Sequence, residues 1–328
     1  MPLYQAHTFA VAPMIDWTDR HCRFFHRQLT RRALLYTEMI TTGAIRFGDK
    51  DRLLGFSDCE HPVALQLGGS SPSELAECAR VGVDFGYDEI NLNVGCPSDR
   101  VQSGRFGACL MEDPGLVAEG VAAMKQAVSI PVTVKCRLGI DDQDIEAPLD
   151  RFIDGCVDAG ADAIWVHARK AWLKGLSPKE NRTIPPLDHD RVVRLKHRLP
   201  KTFIGINGGI DDLTMSLQHL ENVDGVMLGR AAYQNPLLLC SVDRLIYGET
   251  QDKDPLAAVS AMIEYAEAEL ARGTRLSAVT RAMIGLFHGC PGARAWRRVL
   301  SADAVKPGAG PEVIERALGE VDVSALAA

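Results

Sequence analysis

Short apolar segments recur along this chain, and no other feature of the sequence constrains its fold as strongly. Eight such segments are bounded like β-strands, and from the third onward amphipathic helical patterns fill the intervals. Strands that alternate with helices pair in parallel through right-handed crossovers. Eight units in about 245 residues therefore predict an α/β fold, the (β/α)8 TIM barrel. The predicted strands span residues 9–14, 34–39, 63–67, 89–94, 132–138, 163–168, 202–206 and 225–229.

The intervals that carry helical patterns tend to open after Ser, Asp or Pro, which favour helix N-termini. The predicted helices span residues 73–81, 114–128, 149–159, 189–199 and 213–220.

The last part of the chain changes character after a polar, turn-forming link at residues 248–255. Residues 256–325 are rich in Ala, Glu, Arg and Leu and contain no strand signal. We expect a C-terminal all-helical domain at 255–328, appended to a barrel domain at 1–247. Its predicted helices span residues 257–271, 277–286, 293–300 and 311–318.

The composition is that of a folded intracellular protein. A chain of 328 residues with 46% hydrophobic content can bury one large core. Its start lacks the pattern of a signal peptide, and no run is long enough to span a membrane, so we expect a cytoplasmic protein. The nine cysteines are odd in number and scattered without a C-x-x-C pair. Reduced thiols fit this pattern better than disulfides or a metal site.

The net charge and the local distribution of charge favour opposite conclusions about binding to nucleic acid. A formal net charge of −7 argues against indiscriminate binding to nucleic acid, which depends on neutralising phosphates. Residues 169–201, however, hold ten Lys or Arg against three acidic residues, and residues 281–300 hold four Arg and no acid. Such runs are usually solvated faces. Two of them in an acidic chain suggest a binding surface for a polyanion.

Cys96 follows a predicted strand at the point where barrel enzymes place their chemistry. Gly95 and Pro97 break the apolar pattern of 89–94, so Cys96 lies in the loop beyond the strand's carboxyl end. Active sites of (β/α)8 barrels form at that end. A lone cysteine can equally be a small buried apolar residue, and the local sequence leaves both readings open.

Two glycine-containing turns follow the seventh and eighth predicted strands. Gly208 and Gly209 precede a helical pattern, and Gly229 is followed by Arg230. Both turns can direct backbone N–H groups at a phosphate, and this barrel commonly binds phosphate there. A simple turn is the alternative for either one alone.

Polar side chains at other strand ends add to this candidate site. Lys135 lies inside an apolar strand, where an unpaired charge is costly, so it should face an anionic group. A flavin's N1–C2=O region is such a group, and a structural ion pair is the alternative. Gln66 and His167 lie at the ends of their strands in the same way.

Several motifs together resemble the tRNA-dihydrouridine synthases, and within that family the A-type group. The resemblance extends from about residue 8 to residue 298. The motifs that carry it are APMIDWTDR at 12–20, NLNVGCPS at 91–98, HARKAWLKGLS at 167–177, NGG at 207–209, GRAAY at 229–233 and PGARAWRR at 291–298.

The resemblance implies an enzyme that binds flavin mononucleotide (FMN) and uses NADPH to reduce a D-loop uridine of tRNA to dihydrouridine. In the A-type group the uridines are those at positions 20 and 20a. The hydride goes from reduced FMN to C6, and Cys96 donates the proton to C5. The resemblance implies no membrane and no obligate protein partner. The implied FMN-binding residues are Pro13, Met14, Ile15, Gln66, Lys135, His167, Asn207, Gly208, Gly209, Gly229 and Arg230. The implied substrate contacts are Asn93, Arg137 and Arg169 for uracil, and Lys179, Arg182, Arg294, Arg297 and Arg298 for tRNA.

The acid role of Cys96 is chemically sound. Hydride addition to the C5=C6 bond leaves negative charge at C5 and O4, so a donor on the opposite face must supply a proton. A thiol with a pKa of about 8.5 is mostly protonated at neutral pH. Two alternatives stay open: a flavin barrel that acts on a free pyrimidine, as dihydroorotate dehydrogenases do, and a flavin-free barrel lyase or RNA-binding protein.

Overall fold

The computed structural model describes residue 4 and residues 7–98 and 104–326. Eight parallel strands close into a barrel in sequential order, which confirms the predicted fold. Their ends differ from the prediction by a few residues. The strands are β1 Phe9–Val11, β2 Leu34–Thr41, β3 Val63–Gly68, β4 Glu89–Val94, β5 Val132–Arg137, β6 Ala163–His167, β7 Phe203–Asn207 and β8 Gly225–Leu228.

The barrel interior is filled by large side chains from several strands. Tyr36, Trp165, Phe203 and Met227 belong to one buried cluster, as expected for a barrel whose core is packed with side chains. Gly205 lies under the Trp165 ring, where a Cβ would come within 2.2 Å of an indole carbon. Glycine at 205 therefore makes room for the indole.

Helices between the strands begin where the sequence predicted. Ser71, Asp113, Asp188 and Asp212 are N-caps, and each side chain accepts a backbone N–H from the first turn of its helix. The helices of the barrel region are α2 Thr42–Phe47, α3 Lys50–Leu54, α4 Pro72–Asp84, α5 Pro114–Ala127, α6 Ala147–Asp158, α7 His189–Arg198 and α8 Leu213–Leu220, with 3-10 helices at Gly107–Glu112 and Glu180–Arg182.

The chain divides into two compact units, of which the first contains the barrel and comprises residues 1–14, 34–55 and 61–229. The second comprises residues 15–33, 56–60 and 230–328. Its helices are α1 Arg20–Leu29, α9 Arg230–Gln234, α10 Val242–Tyr247, α11 Pro255–Ala271, α12 Leu276–Thr280, α13 Ala293–Asp303 and α14 Glu312–Leu318, with 3-10 helices at Asp58–Glu60, Pro236–Ser241, Arg281–Gly285 and Val323–Leu326.

Three segments of the second unit, residues 15–33, 56–60 and 230–247, thus lie within the range 1–247 that the sequence pattern predicts for the barrel domain. Within it, Phe24 of α1 stacks on Tyr265 of α11, with ring centroids 3.9 Å apart. Arg23 of α1 pairs with buried Glu60 at 2.8 Å, which holds segment 56–60 in the same unit. These contacts join residues distant in sequence, so the local pattern did not indicate them.

In the part of the chain that the structure describes, no helix combines the length and the apolar character that a membrane span requires. All nine cysteines lie in that part, and all are free thiols.

Candidate active site

The polar residues predicted at the strand ends lie in register around the barrel. Asn93 of β4 pairs with Lys135 of β5, and Arg137 of β5 pairs with His167 of β6. His167 in turn pairs with Asn207 of β7. Adjacent parallel strands therefore bring these side chains to the carboxyl end of the barrel, where barrel active sites form.

Asn93 organises the loop that carries Cys96. Its Oδ1 accepts the backbone N–H of Gly95 at 3.1 Å and that of Cys96 at 3.0 Å. Its Nδ2 donates to Gln66 Oε1 at 2.8 Å. Cys96 is half-buried, and its thiol lies 3.6 Å from the Ser98 hydroxyl. A hydroxyl is not a general base, so this environment suits a proton donor better than an activated nucleophile.

Arg137 ties two loops of the barrel mouth together. Its Nε donates to the Gly95 carbonyl at 2.8 Å, and its Nη1 donates to the carbonyls of Lys170 and Asn181 at 3.0 and 2.9 Å. Burial lowers the pKa of Arg137 to about 10, which leaves the guanidinium charged at neutral pH. The residue expected to orient uracil is thus held by backbone carbonyls of the Cys96 loop and of the loop after β6.

Asn181 anchors the loop after β6 and was not singled out by sequence. Its side chain is fully buried and accepts the Trp172 N–H at 2.7 Å. It also donates to the carbonyls of Trp172 and Leu176 at 2.9 and 3.1 Å. Because Asn181 lies in a polar stretch, nothing in its neighbourhood distinguished it from a surface residue.

Lys135 is a charged group in an apolar environment, as its sequence position predicted. Its Nζ donates to Asn207 Oδ1 at 3.0 Å, and Asn207 Nδ2 donates to the Met227 carbonyl at 2.7 Å. Burial, reinforced by Arg137, lowers the pKa of Lys135 to about 8. Among the described residues Lys135 forms no ion pair, so the structural ion pair considered as its alternative partner is not found there. The ammonium group suits an anionic ligand.

His167 presents an unsatisfied ring nitrogen beside Lys135. Its Nε2 is buried and has no hydrogen-bond partner among the described residues. Burial and the nearby cations Arg137 and Lys135 hold the pKa of His167 well below its usual range, so the ring is neutral at neutral pH. Buried polar atoms are rarely left unpaired in native proteins, which makes Nε2 a candidate ligand contact.

The turn after β7 requires glycine. Gly208 and Gly209 have φ of 106° and 69°, in the left-handed region that favours glycine. A Cβ at residue 208 would lie 2.7 Å from His167 Cδ2, so a side chain there would collide with the imidazole. His189 of α7, which the sequence reasoning did not identify, holds the turn through a 2.7 Å contact between Nε2 and the Gly208 carbonyl.

The remaining predicted cofactor residues lie at strand ends or at the start of the second unit. Pro13 and Met14 follow β1, and Met14 is buried. Gly229 follows β8, and a Cβ added at this residue would lie 3.6 Å from Met14 Sδ. Ile15 and Arg230 belong to the second unit; Ile15 is exposed, and Arg230 opens α9.

A flavin mononucleotide fits this set of residues in the barrel. The desolvated ammonium of Lys135 suits an electron-rich carbonyl and ring nitrogen, and the unpaired Nε2 of His167 offers a further polar contact. The left-handed Gly208-Gly209 turn has the backbone conformation from which N–H groups can be directed at a phosphate.

The first basic run divides into two parts. On α7, Arg191 pairs with Asp150, Arg194 with Glu146 and Arg198 with Asp154, at 2.5 to 2.8 Å. Acids of the same unit neutralise these cations, of which Arg194 and Arg198 are exposed and Arg191 is buried. Closer to the barrel mouth, Lys179 is exposed and Arg182 is half-buried in the loop after β6, while Arg169 donates to the Pro185 carbonyl.

The second basic run lies on α13 of the helical unit. Arg294, Arg297 and Arg298 are exposed and form no ion pair with any described residue. Arg294 and Arg297 line a cavity of about 350 Å³ together with Cys290 and Ala293. Unpaired arginines beside a cavity are suited to binding phosphate groups.

Comparison with known proteins agrees with the motifs. The family described as dihydrouridine synthase (Dus) matches residues 10–320. The tRNA-dihydrouridine(20/20a) synthase of Shewanella oneidensis is 58% identical over 321 residues, which are 98% of this chain and 96% of that protein. The protein of the same name from Vibrio cholerae is 57% identical and covers 97% of both chains, and that from Escherichia coli K12 is 59% identical over 94% of this chain and 90% of its own. The chain therefore belongs to the dihydrouridine synthase family.

Proposed function

We propose that this chain is a tRNA-dihydrouridine(20/20a) synthase, an oxidoreductase that reduces the C5=C6 bond of D-loop uridines at positions 20 and 20a of tRNA. The observation that carries the proposal is the Cys96 loop at the barrel mouth, held by Asn93 and Arg137 beside the Lys135–His167 cluster. The relatives that cover nearly the whole chain bear this name.

The cofactor is FMN, reduced by NADPH. When bound, it supplies the hydride that is added to C6 of the uracil ring. Lys135 would face its electron-rich N1–C2=O region, and the Gly208-Gly209 and Gly229-Arg230 turns would bind its phosphate. Gln66, Asn207 and His167 would contact the cofactor as well, and the family resemblance adds Pro13, Met14 and Ile15 to the residues that bind it.

Cys96 donates the proton that C5 requires. Its thiol lies on a loop whose backbone is fixed by Asn93 and Arg137, so its position over the substrate is set before binding. Its partner in the described part of the chain is the Ser98 hydroxyl, which is not a general base that could activate the thiol as a nucleophile.

Asn93 and Arg137 were expected to orient the uracil. Their observed contacts support a role in positioning the loops that surround it. The Asn93 oxygen accepts two backbone N–H groups, and Arg137 donates to three carbonyls. Arg169 lies on the loop after β6, with one amino group donating to Pro185. We propose that direct uracil contacts come from the donors that these residues retain.

The tRNA binds to exposed or half-buried cations. Lys179 and Arg182 near the barrel mouth, and Arg294, Arg297 and Arg298 on α13, lie on acid-poor segments and suit backbone phosphates. The target base must leave the stacked loop to reach a barrel mouth, which costs a few kcal/mol that phosphate contacts offset.

The test is substrate selection by the flavin-loaded, NADPH-reduced protein. We expect it to be reoxidised rapidly by unmodified tRNA and not by free uracil or orotate, because only tRNA presents the phosphates that the cations bind. Reoxidation by a free pyrimidine alone would instead indicate a dihydroorotate dehydrogenase-like enzyme. Purified protein that shows no flavin absorbance, even after FMN is added, would favour a barrel without redox chemistry.

A further inference from the structure

Three polar side chains of β4 point into the barrel below the mouth, and the proposed mechanism uses only one of them. Glu89, Asn91 and Asn93 alternate along the strand and therefore share a face. All are buried, with 0%, 0% and 8% of their surface exposed. Buried polar groups are costly unless they are fully hydrogen-bonded, so Glu89 and Asn91 need a physical reason.

A series of side-chain hydrogen bonds leads away from the Cys96 loop into the barrel. The Cys96 N–H donates to Asn93 Oδ1 at 3.0 Å, and Asn93 Nδ2 donates to Gln66 Oε1 at 2.8 Å. Gln66 Nε2 then donates to Asn91 Oδ1 at 2.8 Å. Each amide accepts from the residue above it and donates to the residue below it.

The series of hydrogen bonds continues from Asn91 to the buried carboxyl group of Glu89. Asn91 Nδ2 donates to Thr133 Oγ1 at 2.8 Å, and the Thr133 hydroxyl donates to Glu89 Oε1 at 2.5 Å. The same carboxylate oxygen accepts the hydroxyl of Tyr36, also at 2.5 Å. Glu89 therefore ends the series as an acceptor in the fully buried core.

The two ends of the series determine the orientation of every amide in it. A backbone N–H can only donate, so Asn93 must present its oxygen to the loop and its NH2 group to Gln66. The same rule applied to Gln66 and Asn91 leaves Thr133 with its single hydrogen directed at Glu89. An amide side chain rotated by 180° anywhere in the series would bring two donors or two acceptors together.

We propose that Glu89, Thr133 and Asn91 form a buried relay that positions Cys96, by keeping the side-chain oxygen of Asn93 directed at the Gly95 and Cys96 N–H groups. The assignment rests on the proposed role of Cys96 as proton donor. None of the three touches the thiol: they are positioning residues that act through Gln66 and Asn93. Without the relay, the Asn91 NH2 group has no acceptor, and the orientation of Asn93 depends on the Gly95 and Cys96 N–H groups alone, so the loop's acceptor is held less rigidly.

Thr133 offers a matched pair of variants. Thr133→Val keeps the shape of the side chain and removes the hydroxyl, which leaves the Asn91 NH2 group without its acceptor. Thr133→Ser keeps the hydroxyl and should preserve the relay. Tyr36→Phe removes the other donor to Glu89 outside the series and serves as a control for general disturbance of the buried carboxyl.

The first readout is hydrogen exchange of residues 93–98 in the cofactor-free protein. We expect the Gly95 and Cys96 amides to exchange about tenfold faster in Thr133→Val, because the side chain that accepts from them is held less rigidly from below. Exchange should stay at the wild-type rate in Thr133→Ser and Tyr36→Phe. Unchanged exchange in Thr133→Val, or equal acceleration across all barrel strands, would overturn the relay.

The second readout compares the rates of two steps in the flavin-loaded enzyme, which are flavin reduction by NADPH and flavin reoxidation by tRNA. Reoxidation by saturating tRNA should slow about tenfold in Thr133→Val, because the proton donor is misplaced. Flavin content, reduction by NADPH and the KM for tRNA should not change, and Thr133→Ser should restore the rate. A loss shared by all of these properties would assign Thr133 a merely structural role and contradict the proposal.

The two readouts separate the relay from the proposed function. Exchange is measured without cofactor or substrate, so it tests the relay whether or not the wild-type chain reduces tRNA. A wild-type chain that fails to reduce tRNA would overturn the proposed function instead. If Thr133→Val does not fold, Asn91→Leu breaks the same series with a side chain of similar size and carries the same expectations.

Discussion

At the scale of single residues, Lys135 is a buried cation whose proposed ligand-binding role predicts a cost in the stability of the cofactor-free protein. Its buried ammonium donates to Asn207 Oδ1 and lies near the Arg137 guanidinium. Burial lowers the pKa of Lys135 from 10.5 to about 8, which means that the folded environment disfavours the charge. An anionic ligand would remove that penalty, whereas solvent at the mouth does so only in part.

Lys135→Met should therefore stabilise the cofactor-free protein while weakening its binding of FMN. A shift of this size corresponds to at most about 3 kcal/mol, and because part of the side chain is accessible we expect about 2 kcal/mol at pH 7. Urea unfolding of the two proteins measures the difference. Lys201→Met, at an exposed position, is the control and should change the unfolding free energy by less than about 0.5 kcal/mol.

The pH dependence of that difference has a defined sign. Between about pH 8 and 10.5 the folded chain has released the Lys135 proton and the unfolded chain retains it, so wild-type stability rises with pH relative to the variant. Below about pH 8 both states hold the proton and the penalty is constant. The advantage of Lys135→Met should disappear toward pH 10.5, and a variant less stable than wild type at pH 7 would contradict the account.

At the scale of elements, strands were easier to predict than the helices that surround them. The strands are largely apolar, since a parallel barrel buries both of their faces, although β4 alternates polar with apolar residues. Their ends were predicted correctly to within a few residues. Helix α1 was not predicted because its sequence is dominated by Arg and His. Arg23 and Arg27 are buried in it through Glu60 and backbone carbonyls, contacts that local pattern cannot reveal.

The residues of the candidate site also differ in how well the sequence predicts them. Lys135 and His167 were identifiable because a polar residue at the end of an apolar strand is conspicuous. Asn91 and Glu89 alternate with Asn93 in a buried strand, a signal that sequence reasoning could have used. Asn181 and the carbonyl partners of Arg137 depend on the course of a loop, which no periodicity describes.

Helix α13 carries the element-scale prediction. Replacing Arg297 and Arg298 by Ala should weaken tRNA binding and reduce the slope of log K against log salt by about 2, one for each lost phosphate contact. Filter binding of unmodified tRNA at several salt concentrations measures both quantities. The control is Arg194→Ala with Arg198→Ala on α7, where Glu146 and Asp154 already neutralise the cations. Equal effects of the two double variants, or no effect of the first, would place the tRNA elsewhere.

At the scale of the whole molecule, net charge is a poor guide to the polyanion that the chain binds. The formal charge is −7, yet the arginines of α13 have no acidic partner among the described residues, whereas those of α7 do. The sequence showed where the cations are and could not show which were neutralised, because their acidic partners on α6 lie more than thirty residues away. The pairing of cations with acids, rather than total charge, is what distinguishes α7 from α13.

The most direct test of the central claim is mapping of dihydrouridine in tRNA from cells that lack this gene, complemented with the wild-type chain or with Cys96→Ala. We predict that dihydrouridine at positions 20 and 20a is lost in the deletion strain and restored by the wild-type chain. Cys96→Ala should still bind flavin and tRNA and should restore almost none of it, since the proton for C5 is missing. Unchanged dihydrouridine at both positions in the deletion strain, or full restoration by Cys96→Ala, would contradict the account.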